Sequence, residues 1–441
     1  MNVREPVSLG FRSHLSVGKD GQLAIDGASC EGIADRYGTP LYVLSETRIR
    51  QNYRAFHGEL ANIYSEVLVC LAYKANSHLS VCRVYQTEGA GAEVVSGAEL
   101  RMALDSGVEP EKIVFNGPLK HSEDLELAIS CGVGLINADS LTEVRRLQEI
   151  SRRVGRSCNV GIRINLGIRA ETHPHLATAS REHKFGIPLE DALAAYQEAA
   201  KKEALNVVGI HSHIGSNISQ PQVFREMATA IFSLATKLDQ MLGLKLNKID
   251  MGGGLGFPYR SDSHVTSNSD YASAILAGNT PIIERLGRPT LIFEPGRAIV
   301  ADAGVLLTRV SAVKRQGEVN WAIVDAGMNT FLRPALYDAR HQVVAANRAS
   351  DEATVLYNLG GPCCESGDVI GKNVSLPELN PGHLLAVLDV GAYGFTMASN
   401  YCGHPRPAVV LVSDMHSQVI RRRETYEDLI AQEIIAPHLK R

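Results

Sequence analysis

Reactive side chains recur at one kind of place in this 441-residue sequence, the end of a short apolar run. Lys74 closes the run VLVCLAY, His211 and His213 close VVGIH, and Glu294 follows LIF. A lysine at the end of a buried strand is costly to desolvate, and burial favours its neutral amine, which is a nucleophile. The alternative is that Lys74 only extends to solvent at the rim of the fold. The clustering of polar chemistry at several run ends favours the nucleophile.

A run of three glycines, Gly252-Gly253-Gly254, follows the apolar run KIDM. Such a turn lets backbone N–H groups approach an anion closely, as a phosphate requires, although a tight structural loop explains it equally well. The letters GGGLG do not fit the dinucleotide pattern GxGxxG, which also needs an acidic residue about 20 positions further on. A nicotinamide site is therefore disfavoured.

The elements that must position these residues alternate between strand and helix. Segments such as 96–106 and 141–154 place apolar residues three and four apart, as amphipathic helices do. Eight apolar runs precede such segments: Val67–Tyr73, Glu93–Val95, Ile113–Asn116, Gly134–Asn137, Val160–Ile164, Val207–His211, Lys248–Met251 and Leu291–Phe293. Continuous apolar strands joined by helices require a covered parallel sheet. The sequence predicts an α/β fold, a (β/α)8 TIM-type barrel, with a doubly wound sheet as the alternative.

After Ala303 the sequence pattern changes: apolar runs typical of β-strands are separated by Gly, Pro and Asn. We therefore predict a barrel over residues 41–303 and a C-terminal β-domain, a β-barrel or sandwich, over residues 304–441. Residues 1–40 are too short to stand alone and contain strand-like pieces, so we expect them to join the β-domain.

Composition excludes several functions. The chain has 44 basic and 48 acidic residues, with no basic stripe that could follow a phosphate backbone, so nucleic acid is not an expected partner. Eight scattered cysteines form no CxxC pair, which predicts no metal site and reduced thiols in the cytoplasm. No run of about 18 apolar residues and no signal-peptide pattern occurs, so no membrane association is expected.

Six ordered motifs together resemble a known family. They are AYKAN around Lys74, HIGS at 213–216, GGGLG at 252–256, EPGR at 294–297, CESGD at 364–368 and GAY at 391–393. They resemble the pyridoxal-phosphate decarboxylases of the alanine-racemase-like fold, and within that group the diaminopimelate decarboxylases. The resemblance covers roughly residues 35–415. It implies a barrel with a β-domain, pyridoxal 5'-phosphate as cofactor, an amino-acid substrate, and a homodimer with active sites at the subunit interface.

The resemblance also implies roles for individual residues in holding the cofactor. Lys74 would form a Schiff base with it, His213 would stack on its ring, and Glu294 would face the pyridine nitrogen and keep it protonated. In isolation, His213 could instead be a hydrogen-bonded core residue and Glu294 part of a surface turn. The implied phosphate-binding residues are Ser216, Gly253, Gly254, Gly296, Arg297 and Tyr393.

Catalysis and substrate binding involve further positions. Cys364 matches the family's general acid, reaching across from the second subunit, although its neighbour Cys363 leaves open a buried thiol pair or a disulfide between the two. The implied substrate-binding residues are Arg297, Arg333, Tyr337, Glu365 and Tyr393. A bidentate guanidinium contact from Arg333 suits a distal carboxylate, with a solvated surface residue as the alternative.

The expected reaction is the decarboxylation of meso-2,6-diaminopimelate to L-lysine and CO₂. The segment FNGPLKH, Asn217 and the tail NYCGHPRP depart from the family pattern, so an ornithine-like, glutamyl-carrier or siderophore-type substrate is the alternative. A non-catalytic binding protein would be expected to lack Lys74 or Cys364. An amino-acid racemase would place an arginine where Glu294 stands.

Overall fold

The structure is a computed structural model that describes residues 9–168, 183–259 and 265–440. The chain divides into two compact units. The first comprises Met1–Arg48, Tyr259–Ser261 and Asp302–Arg441, and the second comprises Ile49–Pro258 and Asp262–Ala301, each as far as it is described. The domain boundaries predicted from the sequence, at 40/41 and 303/304, stay a prediction.

The N-terminal segment builds a small three-stranded sheet and the first strand of a larger one. Strands β1 (Leu15–Val17), β2 (Leu23–Ile25) and β3 (Ala28–Ser29) pair antiparallel in that order. Helix α1 (Cys30–Tyr37) follows, capped where the Ser29 side chain accepts the Gly32 N–H. Strand β4 (Leu41–Ser45) is buried along its whole length.

The second unit is a closed parallel barrel. Its strands are β5 (Val67–Ala72), β6 (Gly91–Val94), β7 (Ile113–Phe115), β8 (Leu135–Ala138), β9 (Cys158–Asn165), β11 (Leu205–His211), β12 (Lys248–Asp250) and β13 (Thr290–Phe293), and the short β10 (Ile187–Pro188) pairs with β9 outside the ring. Each ring strand pairs with the next, and β13 pairs with β5. Pairing of β9 with both β8 and β11 closes the circle. The predicted TIM-type barrel is confirmed, and the doubly wound alternative is wrong.

Helices connect the barrel strands. They are α2 (Glu46–Ala61), α3 (Leu79–Thr87), α4 (Gly97–Asp105), α5 (Ser122–Cys131), α6 (Leu141–Val154), α7 (Ala192–Ala199), α8 (Pro221–Leu242), α9 (Asn268–Leu276), α10 (Thr280–Arg285) and α11 (Arg297–Val300). Ser96 and Ser140 begin α4 and α6 by accepting the N–H groups of Glu99 and Glu143. The helices between consecutive ring strands, α3 to α10, return the chain so that the next strand runs parallel to the last, whereas α2 precedes the first ring strand and α11 follows the last.

Apolar side chains fill one level of the barrel interior. Cys70, Val114, Leu135 and Ile292, from four different strands, form a cluster with essentially no exposed surface. The packed level leaves the carboxyl ends of the strands as the place where polar side chains can meet.

The first unit is rich in β-structure. Its further strands are β14 (Gly304–Gln316), β15 (Val319–Val324), β16 (Val343–Ala345), β17 (Val355–Gly360), β18 (Val369–Leu376), β19 (Leu384–Leu388), β20 (Ala408–Ser413) and β21 (His416–Arg421). The main sheet has the order β18-β17-β15-β14-β4-β20-β21, and β19 pairs with β14 and β16. Alternate residues of β4, β14, β19 and β20 share one apolar core with α1. The predicted β-rich second domain is confirmed.

Two short helices complete this unit, α12 (Arg333–Tyr337) and α13 (Tyr426–Ile430). Short 3₁₀ turns occur in both units, at Pro110–Lys112, Leu189–Asp191, Ala301–Ala303, Ala346–Arg348, Phe395–Met397, Tyr401–Gly403 and Pro437–Leu439. Among the described residues, every helix is too short or too polar to cross a lipid bilayer.

Candidate active site

Lys74 lies directly after β5, and its amine donates to a carboxylate inside the barrel. The acceptor is Oε2 of Glu93 on β6, a side chain that is 1% exposed, whereas the lysine side chain is 37% exposed. Burial raises the pKa of Glu93 to about 7, although the charge of Lys74 opposes that rise. The Lys74 amine therefore lies between a buried carboxyl group and solvent.

Two asparagines connect Glu93 to the far side of the barrel. Asn116, after β7, donates its side-chain amide to Oε1 of Glu93 at 3.2 Å and also to Oε1 of Glu294. Asn137, on β8, donates to Oδ1 of Asn116 at 2.9 Å and to Oδ2 of Asp250 at 3.0 Å. Polar groups from several strand ends thus form one continuous buried network.

Glu294, after β13, is buried beside Asp250 and His211. Burial alone would raise the pKa of Glu294, but the effects of His211, the charge of Lys74 and a hydrogen bond from Asp250 reverse that and lower it. Burial, followed by the charge of Glu294, raises the pKa of Asp250 well above its ordinary value. Burial also lowers the pKa of His211. The pKa values of these two neighbouring carboxyl groups are therefore shifted in opposite directions.

The spacing of this trio also bears on metal binding. Donor atoms of His211, Asp250 and Glu294 all lie within 4.8 Å of one another, a separation at which side chains could share a cation. The carboxyl oxygens of Asp250 and Glu294 already accept hydrogen bonds from Asn116, Asn137 and the Gly252 N–H. We therefore interpret the two carboxyl groups as a hydrogen-bonded pair beside His211, and the absence of a metal stays a prediction.

The three glycines after β12 pack against the neighbouring loops. A Cβ at Gly253 would lie 2.2 Å from the carbonyl oxygen of Glu294, and one at Gly254, where φ is +108°, would lie 2.6 Å from that of Gly215. The Gly253 N–H donates to Nδ1 of His213 at 3.2 Å. Burial, followed by the cations Arg163 and Lys74, lowers the pKa of His213 to about 3, so its ring is neutral at pH 7.

Ser216 and Arg297 meet beside the same loops. A guanidinium N–H of Arg297 donates to Oγ of Ser216 at 3.0 Å, and Arg297 is buried. Gly296 precedes α11 and places Arg297 at the first helical position. The structure thus brings together, in the barrel unit, Lys74, His213, Ser216, Gly253, Gly254, Glu294, Gly296 and Arg297.

Departures from the family pattern in the barrel unit have structural roles. Asn217 adopts φ +64°, and its side-chain oxygen accepts the Phe257 N–H at 3.2 Å, so it shapes a turn. Lys120, in FNGPLKH, is fully buried and donates to Oε2 of Glu143 at 2.9 Å. Asn116, in the same segment as Lys120, donates to Glu93 and Glu294 and so belongs to the buried network.

Arg333, in the β-rich unit, begins α12 inside a group of aromatic rings. Its guanidinium lies 5.0 Å from the ring centre of Tyr259 and 5.9 Å from that of Tyr337. Nε donates to Nε2 of His341 at 3.5 Å, and Nδ1 of that histidine faces the carbonyl oxygen of Leu388 at 2.9 Å. Arg333 is buried, so the alternative of a solvated surface residue is wrong.

The remaining candidates of this unit lie in three places. Cys363 is buried and Cys364 is exposed, and both are free thiols, so no disulfide joins them. Glu365 accepts a hydrogen bond from the Tyr401 hydroxyl at 3.1 Å. Tyr393 is half-buried at φ +56°, a left-handed conformation that costs energy for a non-glycine residue and recurs at functional sites.

Sequence reasoning missed four residues of these clusters. Asp250 lies within the predicted strand KIDM and Asn137 ends GLIN, so a carboxylate and an amide inside apolar runs were the available signal. Tyr259 and His341 meet Arg333 only through the fold, and their spacing in the chain gives no such signal.

Comparison with known proteins decides the family. Residues 46–301 match the family described as "Pyridoxal-dependent decarboxylase, pyridoxal binding domain". The chain belongs to the pyridoxal-dependent decarboxylases. It is 39% identical over 427 residues to the diaminopimelate decarboxylase of Methanocaldococcus jannaschii, covering 96% of this chain and 97% of that one. It is 42% identical over 421 residues to that of Pseudomonas aeruginosa, covering 95% and 98%.

Solved structures of other pyridoxal-dependent decarboxylases share the whole fold. The crystal structure of the M. jannaschii diaminopimelate decarboxylase in co-complex with L-lysine matches with a TM-score of 0.92 and 37% identity, covering 97% of this chain and 99% of that one. The Helicobacter pylori enzyme complexed with L-lysine matches with a TM-score of 0.84 and 35% identity, covering 91% and 98%. Both units of the chain therefore belong to this architecture.

Proposed function

We propose that this protein decarboxylates meso-2,6-diaminopimelate to L-lysine and CO₂ with pyridoxal 5'-phosphate bound in the barrel. The observation that carries the proposal is the contact between the Lys74 amine and a buried network that ends at Glu294. Full-length relatives at 39% and 42% identity named diaminopimelate decarboxylase support the choice of substrate.

The residues present fit the cofactor. A phosphate needs close backbone approach and a cation, and the glycine turn at Gly253 and Gly254 lies in the same unit as the buried Arg297 guanidinium with its Ser216 partner. An aldehyde needs an amine, which Lys74 supplies. A pyridine nitrogen needs an acid partner, and Glu294 is a buried carboxylate whose pKa is lowered.

When bound, pyridoxal phosphate supplies an electron sink for the electron pair left as CO₂ departs. Lys74 would hold the cofactor covalently, with Glu93 orienting the amine. The negative charge of Glu294 would keep a proton on the pyridine nitrogen, and the neutral His213 ring would cover one face. Gly296 and Tyr393 would complete the phosphate contacts, and Cys364 would donate a proton to the α-carbon.

Arg333 supports a substrate with a distal carboxylate. Its guanidinium is held among Tyr259, Tyr337 and His341, so part of its conformational entropy is already lost before a ligand arrives. Arg297 and Tyr393 would assist this contact, and Glu365 would accept the distal ammonium. Among the departures that left an ornithine-like, glutamyl-carrier or siderophore-type substrate open, Asn217 shapes a turn and Lys120 of FNGPLKH pairs with Glu143, whereas Asn116 of the same segment donates to Glu294. That substrate therefore stays the alternative that the test below addresses.

We further propose a cytoplasmic homodimer whose active sites lie at the subunit interface. The free state of all eight cysteines supports a reducing compartment. The exposed thiol of Cys364, in contrast to the buried Cys363, supports a role toward a second molecule.

The test is CO₂ release from a panel of substrates with added cofactor: meso-, LL- and DD-diaminopimelate, ornithine and lysine. We expect turnover of meso-diaminopimelate alone, and loss of both CO₂ and borohydride-fixed cofactor in Lys74→Ala. Lys112→Ala, which removes a half-exposed lysine of the same unit, is the matched control and should behave as wild type. Turnover of ornithine without diaminopimelate would select the alternative substrate, and a colourless wild type would reject the proposal.

A further inference from the structure

Glu294 lies beside a second buried carboxyl group, Asp250, that the proposed chemistry does not use. We propose that Asp250 is a positioning residue that carries the proton shared by the two groups and thereby keeps Glu294 ionised toward the cofactor. The inference rests on the proposed function, because the ionised state of Glu294 matters there as the partner of a pyridine nitrogen.

Hydrogen bonds hold Asp250 in one orientation. Its Oδ1 accepts the Gly252 N–H at 2.9 Å, and its Oδ2 accepts the amide of Asn137 at 3.0 Å. The side chain is fully buried, and its oxygen lies within 4.8 Å of a Glu294 oxygen. Two carboxylates this close cannot both be ionised cheaply in a buried site, so one proton must be shared between them.

The surroundings decide which group carries that proton. Glu294 accepts the Asn116 amide and lies in the field of the Lys74 charge. Among the described residues, the donors to Asp250 other than Glu294 are the neutral Gly252 N–H and the neutral Asn137 amide. The negative charge is therefore more stable on Glu294, and the proton more stable on Asp250.

The other charged groups near the pair agree with this assignment. Arg163 and Asp139 act on His211 with opposite signs, and they lie 3.7 Å apart, so they largely offset each other. Burial lowers the pKa of His211, which makes it a poor proton carrier at neutral pH. Asp250, once protonated, is a group able to donate a hydrogen bond to Glu294.

The proposal predicts a difference between two substitutions. Asp250→Asn keeps a neutral donor of the same shape, whereas Asp250→Ala removes the donor and leaves Glu294 with an unmade hydrogen bond. We expect cofactor affinity of Asp250→Asn within about threefold of wild type and a loss of about tenfold to hundredfold in Asp250→Ala, measured by equilibrium titration of the absorbance of bound pyridoxal phosphate. Equal affinities of the two variants would overturn the proposal.

Infrared spectroscopy of the cofactor-loaded protein locates the proton directly. At pH 7 we expect wild type and Glu294→Gln to share a C=O band of a protonated carboxylic acid that Asp250→Asn lacks, in addition to the band of the partly protonated Glu93, whose pKa is about 7 in wild type. Loss in Glu294→Gln with persistence in Asp250→Asn would place the proton on Glu294 and overturn the assignment. These two isosteric variants suffice if Asp250→Ala fails to fold.

Failure of the proposed function has a different signature. In that case wild type would neither fix pyridoxal phosphate at Lys74 nor release CO₂, whatever Asp250 does. The infrared assignment on the unloaded wild type would then still report where the proton resides.

Discussion

Two adjacent cysteines differ in environment although the chain places them side by side. The Cys363 thiol is buried and donates to Oδ1 of Asn329 at 3.5 Å, and burial, followed by the charge of Asp368, raises its pKa to about 12. Cys364 is exposed. A thiol must be accessible to give a proton to a substrate that is bound in the active site of another subunit. The proposed acid is therefore Cys364.

We expect Cys364→Ala to lower the rate of lysine formation by about 10²- to 10⁴-fold, the range for loss of a positioned acid. The absorbance of bound pyridoxal phosphate should remain, because the residue is not among those proposed to hold the cofactor. Cys363→Ala is the matched control and should affect unfolding more than turnover. Single-turnover measurement of CO₂ and lysine checks this, and normal turnover by Cys364→Ala would show that the acid is another group.

At the scale of elements, Lys120 ties consecutive strand ends of the barrel together. Its amine donates to the carbonyl oxygens of Gly117 and Asn137 at 2.9 and 2.8 Å and to Glu143, on α6, at 2.9 Å. Burial lowers the pKa of Lys120, and the charge of Glu143 opposes this shift. The same Glu143 carboxylate accepts the Asp139 N–H, so this ion pair fixes the β8–α6 turn.

Lys120→Met should lower the free energy of unfolding by about 3–5 kcal/mol, because it leaves Glu143 buried with an incomplete set of partners. Lys112→Met is the matched control: its pair with Glu109 is largely exposed, and its loss should cost about 0–1 kcal/mol. Urea denaturation of both variants and wild type measures the difference. A loss below that of the control would mean that the buried pair does not stabilise the turn.

The elements themselves were largely readable from the sequence. All eight ring strands end within two residues of their predicted bounds, because continuous apolar runs are unambiguous in a covered parallel sheet. The role of Lys120 was not readable, since two of its three acceptors are backbone carbonyls that no side-chain pattern marks. The role of Asp250 could not be predicted for a related reason. Its strand is apolar, and only the closure of the barrel shows to which side the Asp250 side chain points.

At the scale of the whole molecule, the β-rich unit draws on both ends of the chain. Strand β4 pairs antiparallel with β14 and parallel with β20, and all three contribute to one apolar core. Runs of β-branched residues predicted the strands, but a pairing between such distant segments leaves no local signature.

Mixed subunits test the proposed interface. If each site combines Lys74 of one subunit with Cys364 of the other, a dimer of one Lys74→Ala and one Cys364→Ala subunit contains one site with both residues intact. Coexpression of the two inactive variants should then restore about a quarter of wild-type activity, since random pairing makes half the dimers mixed and each has one working site.

Affinity tags that differ between the variants isolate the mixed dimer, whose activity should reach about half that of wild type. The parent variants, purified from the same cells, serve as controls. Mixed dimers as inactive as both parents would mean that each subunit builds its site from its own Lys74 and Cys364.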